Sequence, residues 1–212
     1  MYLPKYFKKE DLNQISKIIE RNGFGVLIST VNNEPFATHL PMFLERRDEN
    51  GESKLFLYGH VAKANEHWRY WKQNHDRSQR SLAIFQGAHS YVSPTWYENG
   101  GVPTWNYAAV HLYGTLCVVD DPEELRELVI KLSDQYERNR TDPWIPDFPS
   151  EMLNAIVGFS MCVDDIQGKY KLSQNKTETD RNQVRQALER SMSENDQMMA
   201  KMMRDESEKQ GE

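Results

Sequence analysis

The chain has 212 residues with a hydrophobic content of 38%, and its 26 lysines and arginines stand against 32 aspartates and glutamates. This length suffices for one large domain, or for one domain with an appendage, and the hydrophobic content excludes a chain that is disordered throughout. The formal charge of −6 argues against a broad electrostatic attraction to nucleic acid or to an anionic membrane.

The first sixty residues or so predict one helix followed by a meander of strands. Leu12, Ile15 and Ile19 recur at helical spacing, and Gly23 ends that helix. Three β-rich runs follow at residues 24–30, 36–44 and 55–59, with a hairpin signal of the Asn-Gly type at residues 48–51. Pro41, inside the second run, indicates an edge or a bulge.

The chain from there to residue 163 alternates strands with two helices. A short helix is predicted over residues 63–73, and strands over residues 81–85, 90–93, 110–119 and 157–163. Asp121, Pro122 and Glu124 predict the start of the second helix, with the aspartate as N-cap and the proline at the first helical position. These elements favour a mainly β protein with helices, built on a small, Greek-key-like antiparallel barrel.

The last 35 residues, from Glu178 onward, change in character. They contain no aromatic residue, five of the nine methionines, and nine acidic against six basic residues. The apolar residues that can share one helical face are Val184, Leu188, Met192, Met199 and Met203. We therefore expect a barrel domain at 1–177 and a charged, methionine-rich helix or tail at 178–212, which either packs on a partner or frays.

The sequence motifs of metal and nucleotide sites are absent. Cys117 and Cys162 are far apart and form no CxxC pair, so neither a disulfide framework nor a zinc site is predicted. The six histidines show no metal-ligand spacing, and no Walker loop, nucleophile elbow or dinucleotide fingerprint occurs. No apolar run approaches the ~18 residues of a membrane span, and the first residues lack the apolar centre of a signal peptide, so we expect a soluble, cytoplasmic protein.

One segment dense in ligand-binding residue types lies at a predicted strand-to-helix junction, residues 59–65. It offers His60 and Lys63 just before a helix whose unpaired N–H groups suit a phosphate. An ordinary connection with a solvated lysine explains the same residues, and from these residues alone it is the interpretation we prefer.

Two further segments leave similar alternatives open. Residues 86–107 are rich in indole and phenol rings, which suit a planar aromatic ligand with Thr104 and Asn106 at its edge. Packing of a core or of a partner subunit explains these rings equally well. Residues 168–175 place two lysines and two amides after the last strand, where the lysines neutralise a ligand or face water.

Three blocks of sequence together resemble a known family. They are GHVAKANEHW from Gly59, FQGAHSYVSPTWYENGGVPTWNYAAVHLYG from Phe85, and GFSMCVDDIQGKYKLSQNK from Gly158. The blocks are similar to those of the PaiB family, bacterial transcriptional regulators of the FMN-binding split-barrel superfamily. One departure is Glu66, where the family often has proline.

The resemblance implies a split β-barrel that forms a homodimer, with FMN pockets where two subunits meet. The resemblance does not fix which residue contacts which flavin atom. From the predicted positions in the fold we expect the FMN phosphate at Lys63 and Asn65, with Thr38 or His39, and the ring at the aromatic segment, with lysine and amide contacts from the other subunit. The full set of expected cofactor contacts is Thr38, His39, His60, Lys63, Asn65, Trp105, Asn106, Tyr107, Lys171 and Gln174.

The resemblance also implies a function, a negative transcriptional regulator of sporulation and of degradative (protease) enzyme synthesis. DNA is then an expected partner, yet the sequence has no helix-turn-helix, basic region or zinc finger. The alternative is an FMN-dependent oxidoreductase, a flavin reductase or an oxidase, that affects transcription only indirectly. A third hypothesis is a structural dimer whose pocket no longer binds a ligand.

Overall fold

The computed structural model describes residues 1–49, 51–73 and 80–209, without the side chains of residues 49, 73 and 209. The helices are α1 (Leu12–Arg21), α2 (His67–Gln73), α3 (Pro122–Glu137), α4 (Glu178–Glu189) and α5 (Glu194–Lys209). The strands are β1 (Lys8–Lys9), β2 (Phe24–Val31), β3 (Glu34–Glu49), β4 (Glu52–Ala62), β5 (Ser81–Val92), β6 (Thr104–Val119) and β7 (Ile156–Lys171). Short 3₁₀ helices cover Lys5–Phe7, Pro94–Trp96 and Ser150–Ala155.

The strands form one sheet in the order β1-β7-β4-β3-β2-β5-β6, and β6 also pairs with β7. With this additional pairing, the six strands from β2 through β7 form a closed ring. The closure removes the exposed edges of the long strands. β2, β3 and β4 are consecutive antiparallel neighbours, whereas β5 returns to pair with β2, and β7 pairs with β4. The prediction of a mainly β, Greek-key-like architecture with helices is confirmed.

Pro41 marks a change of partner within the long strand β3. The residues up to Pro41 pair with β2, and from Met42 onward the strand pairs with β4. Proline lacks the N–H group that a ladder needs, so this junction tolerates it. The predicted hairpin at residues 48–51 includes Asn50, which lies outside the described residues; the strands on either side pair Glu49 with Glu52.

Three predicted boundaries are corrected by the structure. β5 runs unbroken through the two separate strands that we predicted, and β6 begins at Thr104 instead of residue 110. The short helix starts at His67 and not near Lys63, because the Asn65 side chain accepts a hydrogen bond from the His67 N–H at 3.0 Å and so caps the helix there. Because β6 begins at Thr104, it includes Trp105, Asn106 and Tyr107, which therefore lie on a strand and not in a loop.

The chain packs as two compact units that share the long strands. The terminal unit contains Met1–Ile15, Gln86–Val110 and the chain from Gln167 onward, and the central unit contains Ser16–Phe85 and His111–Ile166. The expected boundary between residues 177 and 178 stays a prediction, since grouping by packing does not measure independent folding.

In the terminal unit, the C-terminal segment forms two helices instead of one continuous amphipathic helix. Ser193 interrupts the segment, because its hydroxyl accepts a hydrogen bond from the Asp196 N–H at the start of α5. Met192 therefore lies between the helices and is 95% exposed, although we predicted it on the apolar face of a single helix. The other residues predicted for that face are buried, namely Val184, Leu188, Met199 and Met203.

In the central unit, α3 covers one part of the sheet with an apolar face. Asp121 caps the helix as predicted, because its side chain accepts hydrogen bonds from the Glu123 and Glu124 N–H groups, each at 2.9 Å. Leu128 and Leu132 of the helix join an aromatic cluster with Phe43, Phe56 and Tyr58. No helix of the described residues is long and apolar enough to cross a membrane.

Candidate ligand-binding site

In the terminal unit, the neighbouring ends of β6 and β7 bring three predicted contact residues together. Lys171 Nζ donates a hydrogen bond to Thr104 Oγ1 at 2.6 Å and another to the carbonyl oxygen of Trp105. Two positions earlier on the same strand, the buried Lys169 places its ammonium 5.2 Å from the centre of the Tyr107 ring. The ammonium groups of Lys169 and Lys171 thus contact the start of β6, at the Tyr107 ring and at the Trp105 backbone.

Lys169, Lys171 and Lys176 form what we call the lysine cluster. Lys169 donates a hydrogen bond to a carbonyl oxygen at 2.9 Å, and Lys176 lies 4.4 Å from the centre of the Tyr97 ring. Within the described part of the chain, no carboxylate forms an ion pair with any of the three. Burial first, and then the charges of Lys169 and Lys176, lower the pKa of Lys171. An anionic ligand would remove this repulsion and stabilise the charged lysines.

An exposed aromatic surface lies beside the cluster on β5 and β6. The Trp105 side chain is 52% exposed, and its ring centre lies 6.0 Å from that of Tyr91 and 6.3 Å from that of His89. Successive side chains of a strand point to opposite faces, so Trp105 is exposed while the next residue, Asn106, is buried. A flat apolar surface next to an ammonium suits a ligand with both a ring and a negative charge.

The two predicted amide contacts of this unit are bonded within the protein. Asn106 is fully buried and donates to Ser173 Oγ at 3.0 Å. Gln174 accepts from the Leu172 N–H at 2.7 Å and donates to the Tyr170 carbonyl oxygen at 2.6 Å. Both amides hold the chain just after β7 in this structure, and their contact with a ligand stays a prediction.

Ser173 is a residue of this site that the sequence did not indicate. Its φ of 66° lies in the left-handed region, which residues other than glycine rarely adopt. Such strained residues concentrate at functional sites, where the surrounding structure holds them. Here the bond to the buried Asn106 holds Ser173, and a serine in a polar sequence gives no signal of this.

In the central unit, two other predicted residues meet at a buried histidine. Asn65 Nδ2 donates to Thr38 Oγ1 at 3.2 Å, and Thr38 Oγ1 lies 3.0 Å from His67 Nδ1. The His67 ring is fully buried, with the rings of Phe36 and Trp71 at 4.7 and 4.9 Å between centres. We call Thr38, Asn65 and His67 the histidine network.

Burial decides the charge of the His67 ring. Thr38 Oγ1 accepts from Asn65 Nδ2 and shares a further hydrogen bond with His67 Nδ1, whose direction depends on the tautomer of the ring. Burial lowers the pKa of His67 to about 4, so the ring is neutral near pH 7. Nε2 is buried and has no partner among the described residues. Sequence reasoning missed this residue, because a single histidine in a helix has no distinctive pattern.

The remaining predicted residues of the central unit stand apart from the network. Lys63 is exposed, and its carbonyl oxygen accepts a hydrogen bond from Trp68 Nε1 at 2.9 Å. His39 is exposed and its ring stacks against Phe24, with 6.3 Å between ring centres. His60 is partly buried, which lowers its pKa.

The ten predicted residues therefore separate into two groups, one in each unit. Thr38, His39, His60, Lys63 and Asn65 lie in the central unit, and Trp105, Asn106, Tyr107, Lys171 and Gln174 lie in the terminal unit. The structure joins Thr38 to Asn65 in one group, and gathers Trp105 and Lys171 in the other. Within the described residues, no group of three or more histidine, cysteine, aspartate or glutamate side chains could hold a metal ion.

Comparison with known proteins supports a flavin-related family. The family described as a putative FMN-binding domain matches residues 1–165. A Bacillus subtilis (strain 168) protein, "Protease synthase and sporulation protein PAI 2", is 39% identical over 99% of this chain and 100% of its own length. An uncharacterised protein of Saccharomyces cerevisiae, YKL070W, is 33% identical over 67% of this chain and 94% of its own length.

Two solved structures share the fold at low sequence identity. The flavocytochrome Anf3 of Azotobacter vinelandii has a TM-score of 0.60 at 13% identity, over 85% of this chain and 78% of that one. The FAD and heme binding protein of Mycobacterium smegmatis has a TM-score of 0.61 at 12% identity, over 82% of this chain and 78% of that one.

These matches confirm the fold and the resemblance that the sequence blocks indicated. The alignment with the Bacillus subtilis protein covers nearly the whole chain, and the family match covers most of the barrel strands. The chain belongs to the putative FMN-binding domain family, as a protein similar to PaiB.

Proposed function

We propose that this chain binds FMN and acts in the cytoplasm as a negative regulator of sporulation and of genes for degradative enzymes, proteases above all. The family match supports FMN as the cofactor, and the name of the Bacillus subtilis relative supports the regulatory role. The same resemblance supports a homodimer with FMN pockets where two subunits meet.

The observation that carries the FMN proposal is the lysine cluster beside the exposed indole of Trp105. FMN is an anion with a planar ring, and the cluster offers positive charge without a carboxylate partner in the described residues, next to an open aromatic face. Lys171 and Trp105 are therefore the residues that we assign to FMN first. Bound FMN would supply hydride or electron transfer, while the residues of the chain bind and orient it.

The central unit offers the second set of proposed contacts. The histidine network holds the Thr38 hydroxyl and the Asn65 amide in fixed positions, and Lys63 adds an exposed ammonium on the same unit. We assign these groups to the phosphate, with His39 and His60 as the neighbouring histidines. His67 acts here as a positioning residue, since it contacts Thr38 and is itself buried.

An FMN-dependent oxidoreductase is the second candidate function. Trp105 and Tyr91 are exposed, so a substrate could approach a flavin that rests on them. The flavocytochrome and the FAD and heme binding protein that share the fold are consistent with redox chemistry on such a barrel.

Three measurements on the purified protein test the proposal. The absorbance spectrum should show flavin bands, or gain them during titration with FMN, and riboflavin should bind more weakly because it lacks the phosphate. A protein that takes up neither compound contradicts the FMN proposal. A gel shift on promoter DNA that weakens with salt supports direct regulation, whereas flavin-dependent oxidation of NADH or NADPH without a gel shift supports the oxidoreductase.

A further inference from the structure

Lys171, on β7 in the terminal unit, is bonded differently from an ordinary surface lysine. Its Nζ atom donates to two neutral acceptors, Thr104 Oγ1 at 2.6 Å and the carbonyl oxygen of Trp105. Among the described residues this atom makes no third hydrogen bond and no ion pair. Lys9 of the same unit is instead paired with the carboxylate of Glu206 at 2.7 Å.

Two neutral acceptors match the neutral amine of Lys171 better than its ammonium form. An ammonium group has three N–H donors and no lone pair, so one donor would be left without a partner in the described protein. A neutral amine has two N–H donors, which the Thr104 hydroxyl and the Trp105 carbonyl oxygen take up. Its lone pair then remains free, and a free lone pair makes a lysine a nucleophile.

The groups around Lys171 also favour its neutral form. Lys169 and Lys171 lie on the same face of β7, because successive side chains of a strand alternate between faces. Burial first, and then the charges of Lys169 and Lys176, lower the pKa of Lys171. Near pH 7 a larger share of Lys171 is therefore the neutral amine than of a solvated lysine. Burial next to other cations is one of the ways in which enzymes activate an amine.

Lys171 is also within reach of a ligand. Its side chain is only partly buried, and the indole of Trp105, whose backbone it contacts, is exposed. Lys176, likewise partly exposed, adds a positive charge without a carboxylate partner among the described residues. A small molecule at this place meets an apolar ring surface, a positive charge and the amine together.

We propose that Lys171, in the protein without FMN, is a nucleophilic amine that forms an imine with aromatic aldehydes that carry a negative charge. The Nζ lone pair attacks the carbonyl carbon and forms a C–N bond. The two hydrogens of the amine end on the carbonyl oxygen, which leaves as water, so no oxidant or reductant is needed. The ring of the aldehyde lies against Trp105, and its negative charge faces Lys176.

This reactivity goes beyond FMN binding and does not rest on it, although Lys171 is also a proposed FMN contact. An anionic ligand such as FMN favours the ammonium form, so the experiments are made on the protein without FMN. They can therefore fail while flavin uptake is observed, and can succeed while it is absent.

Trapping of the imine with cyanoborohydride, followed by peptide mass spectrometry, tests the proposal. The probe is 4-formylbenzoate, and 4-formylbenzamide is its neutral match. At pH 7 we expect the acid to modify Lys171 about fivefold faster than Lys201, an exposed lysine of the same unit outside the cluster. The rate at Lys171 should level off at a lower pH than the rate at Lys201. The amide should react more slowly than the acid at Lys171 and equally fast at Lys201.

Lys176→Met separates the effect of the neighbouring charge from simple accessibility. The variant should slow the modification of Lys171 and move its pH profile upward, because one repelling charge is lost. Lys201→Met, which removes an exposed lysine outside the cluster, should leave both unchanged. Equal rates at Lys171 and Lys201 in the wild type, equal rates of acid and amide at Lys171, or an unchanged profile in Lys176→Met would overturn the proposal.

Discussion

The lysine cluster and the histidine network differ in whether their polar groups have partners within the protein. In the network the buried His67 Nδ1, the Thr38 hydroxyl and the Asn65 amide are hydrogen-bonded to one another, while His67 Nε2 has no partner among the described residues. In the cluster, like charges repel and no described carboxylate neutralises them. Hydrogen bonds among buried groups stabilise a fold, whereas uncompensated charges destabilise it unless a ligand neutralises them. The difference indicates that the network positions residues and the cluster binds a ligand.

Loss of His67 should have the largest effect on stability. His67→Ala removes a fully buried ring and leaves Thr38 without its partner, so we expect a loss of about 3 kcal/mol in the free energy of unfolding. His39→Ala, at an exposed position, should change it by less than about 0.5 kcal/mol. Urea denaturation measures both, and similar values for the two variants would show that the network does not stabilise the fold.

The pH dependence of stability should follow His67 in the acidic range. The pKa is about 4 in the folded protein and 6.5 in the reference state, so the unfolded chain binds a proton more readily between these values. The contribution of the neutral His67 ring to the free energy of unfolding is therefore complete above pH 6.5. It falls by up to about 3 kcal/mol as the pH decreases to 4. Urea denaturation at several pH values should show a shallower fall for His67→Phe. The same slope in wild type and variant would exclude His67 as the group that titrates.

The terminal unit also contains a buried, hydrogen-bonded polar pair, Asn106 and Ser173. A variant of this pair tests the structural residues of the unit apart from its lysine cluster. Asn106→Ala leaves the buried Ser173 hydroxyl without its partner, and we expect a loss of about 2 kcal/mol in the free energy of unfolding. Asn175→Ala, at an exposed position nearby, serves as the control. If both variants unfold alike, Asn106 does not support the end of β7, and its direct contact with a ligand becomes the better assignment.

Removing a charge from the lysine cluster should cost the least stability. Lys171→Met deletes a partly buried ammonium that is repelled by its neighbours, so without ligand the free energy of unfolding should change by less than about 0.5 kcal/mol or increase. Lys9→Met is a useful comparison, because Lys9 pairs with Glu206 at 2.7 Å and both side chains are mostly buried. It should lose about 1 kcal/mol or more. Thermal unfolding of both variants decides whether the cluster serves stability or binding.

Much of the fold follows from local patterns in the sequence. The helical spacing of Ile15 and Ile19, the Asp121 cap and the β-rich runs of the first hairpins all correspond to elements of the structure. Errors arose where tertiary pairing extends an element beyond its local signal. β6 begins at Thr104 although that residue follows a loop rich in glycine and proline, because sheet pairing overrides weak local preference.

The candidate site was predicted only in part. Aromatic and lysine-rich segments pointed to Trp105 and Lys171, whose contact depends on the pairing of distant strands. Nothing local identifies His67 or Ser173, because burial and backbone conformation give these residues their roles. The exposure of Trp105 and the burial of Asn106 follow from strand alternation, which becomes visible only once both residues are known to lie on β6.

FMN titration of the Lys171→Gln variant, followed by quenching of flavin fluorescence, tests most directly whether the lysine cluster holds the cofactor. Lys201→Gln is the matched control, since it removes an exposed lysine of the same unit outside the cluster. We predict that Lys171→Gln binds FMN about tenfold more weakly than the wild type and that Lys201→Gln binds it equally well. Wild-type affinity in Lys171→Gln would contradict the assignment and move the flavin site away from the cluster.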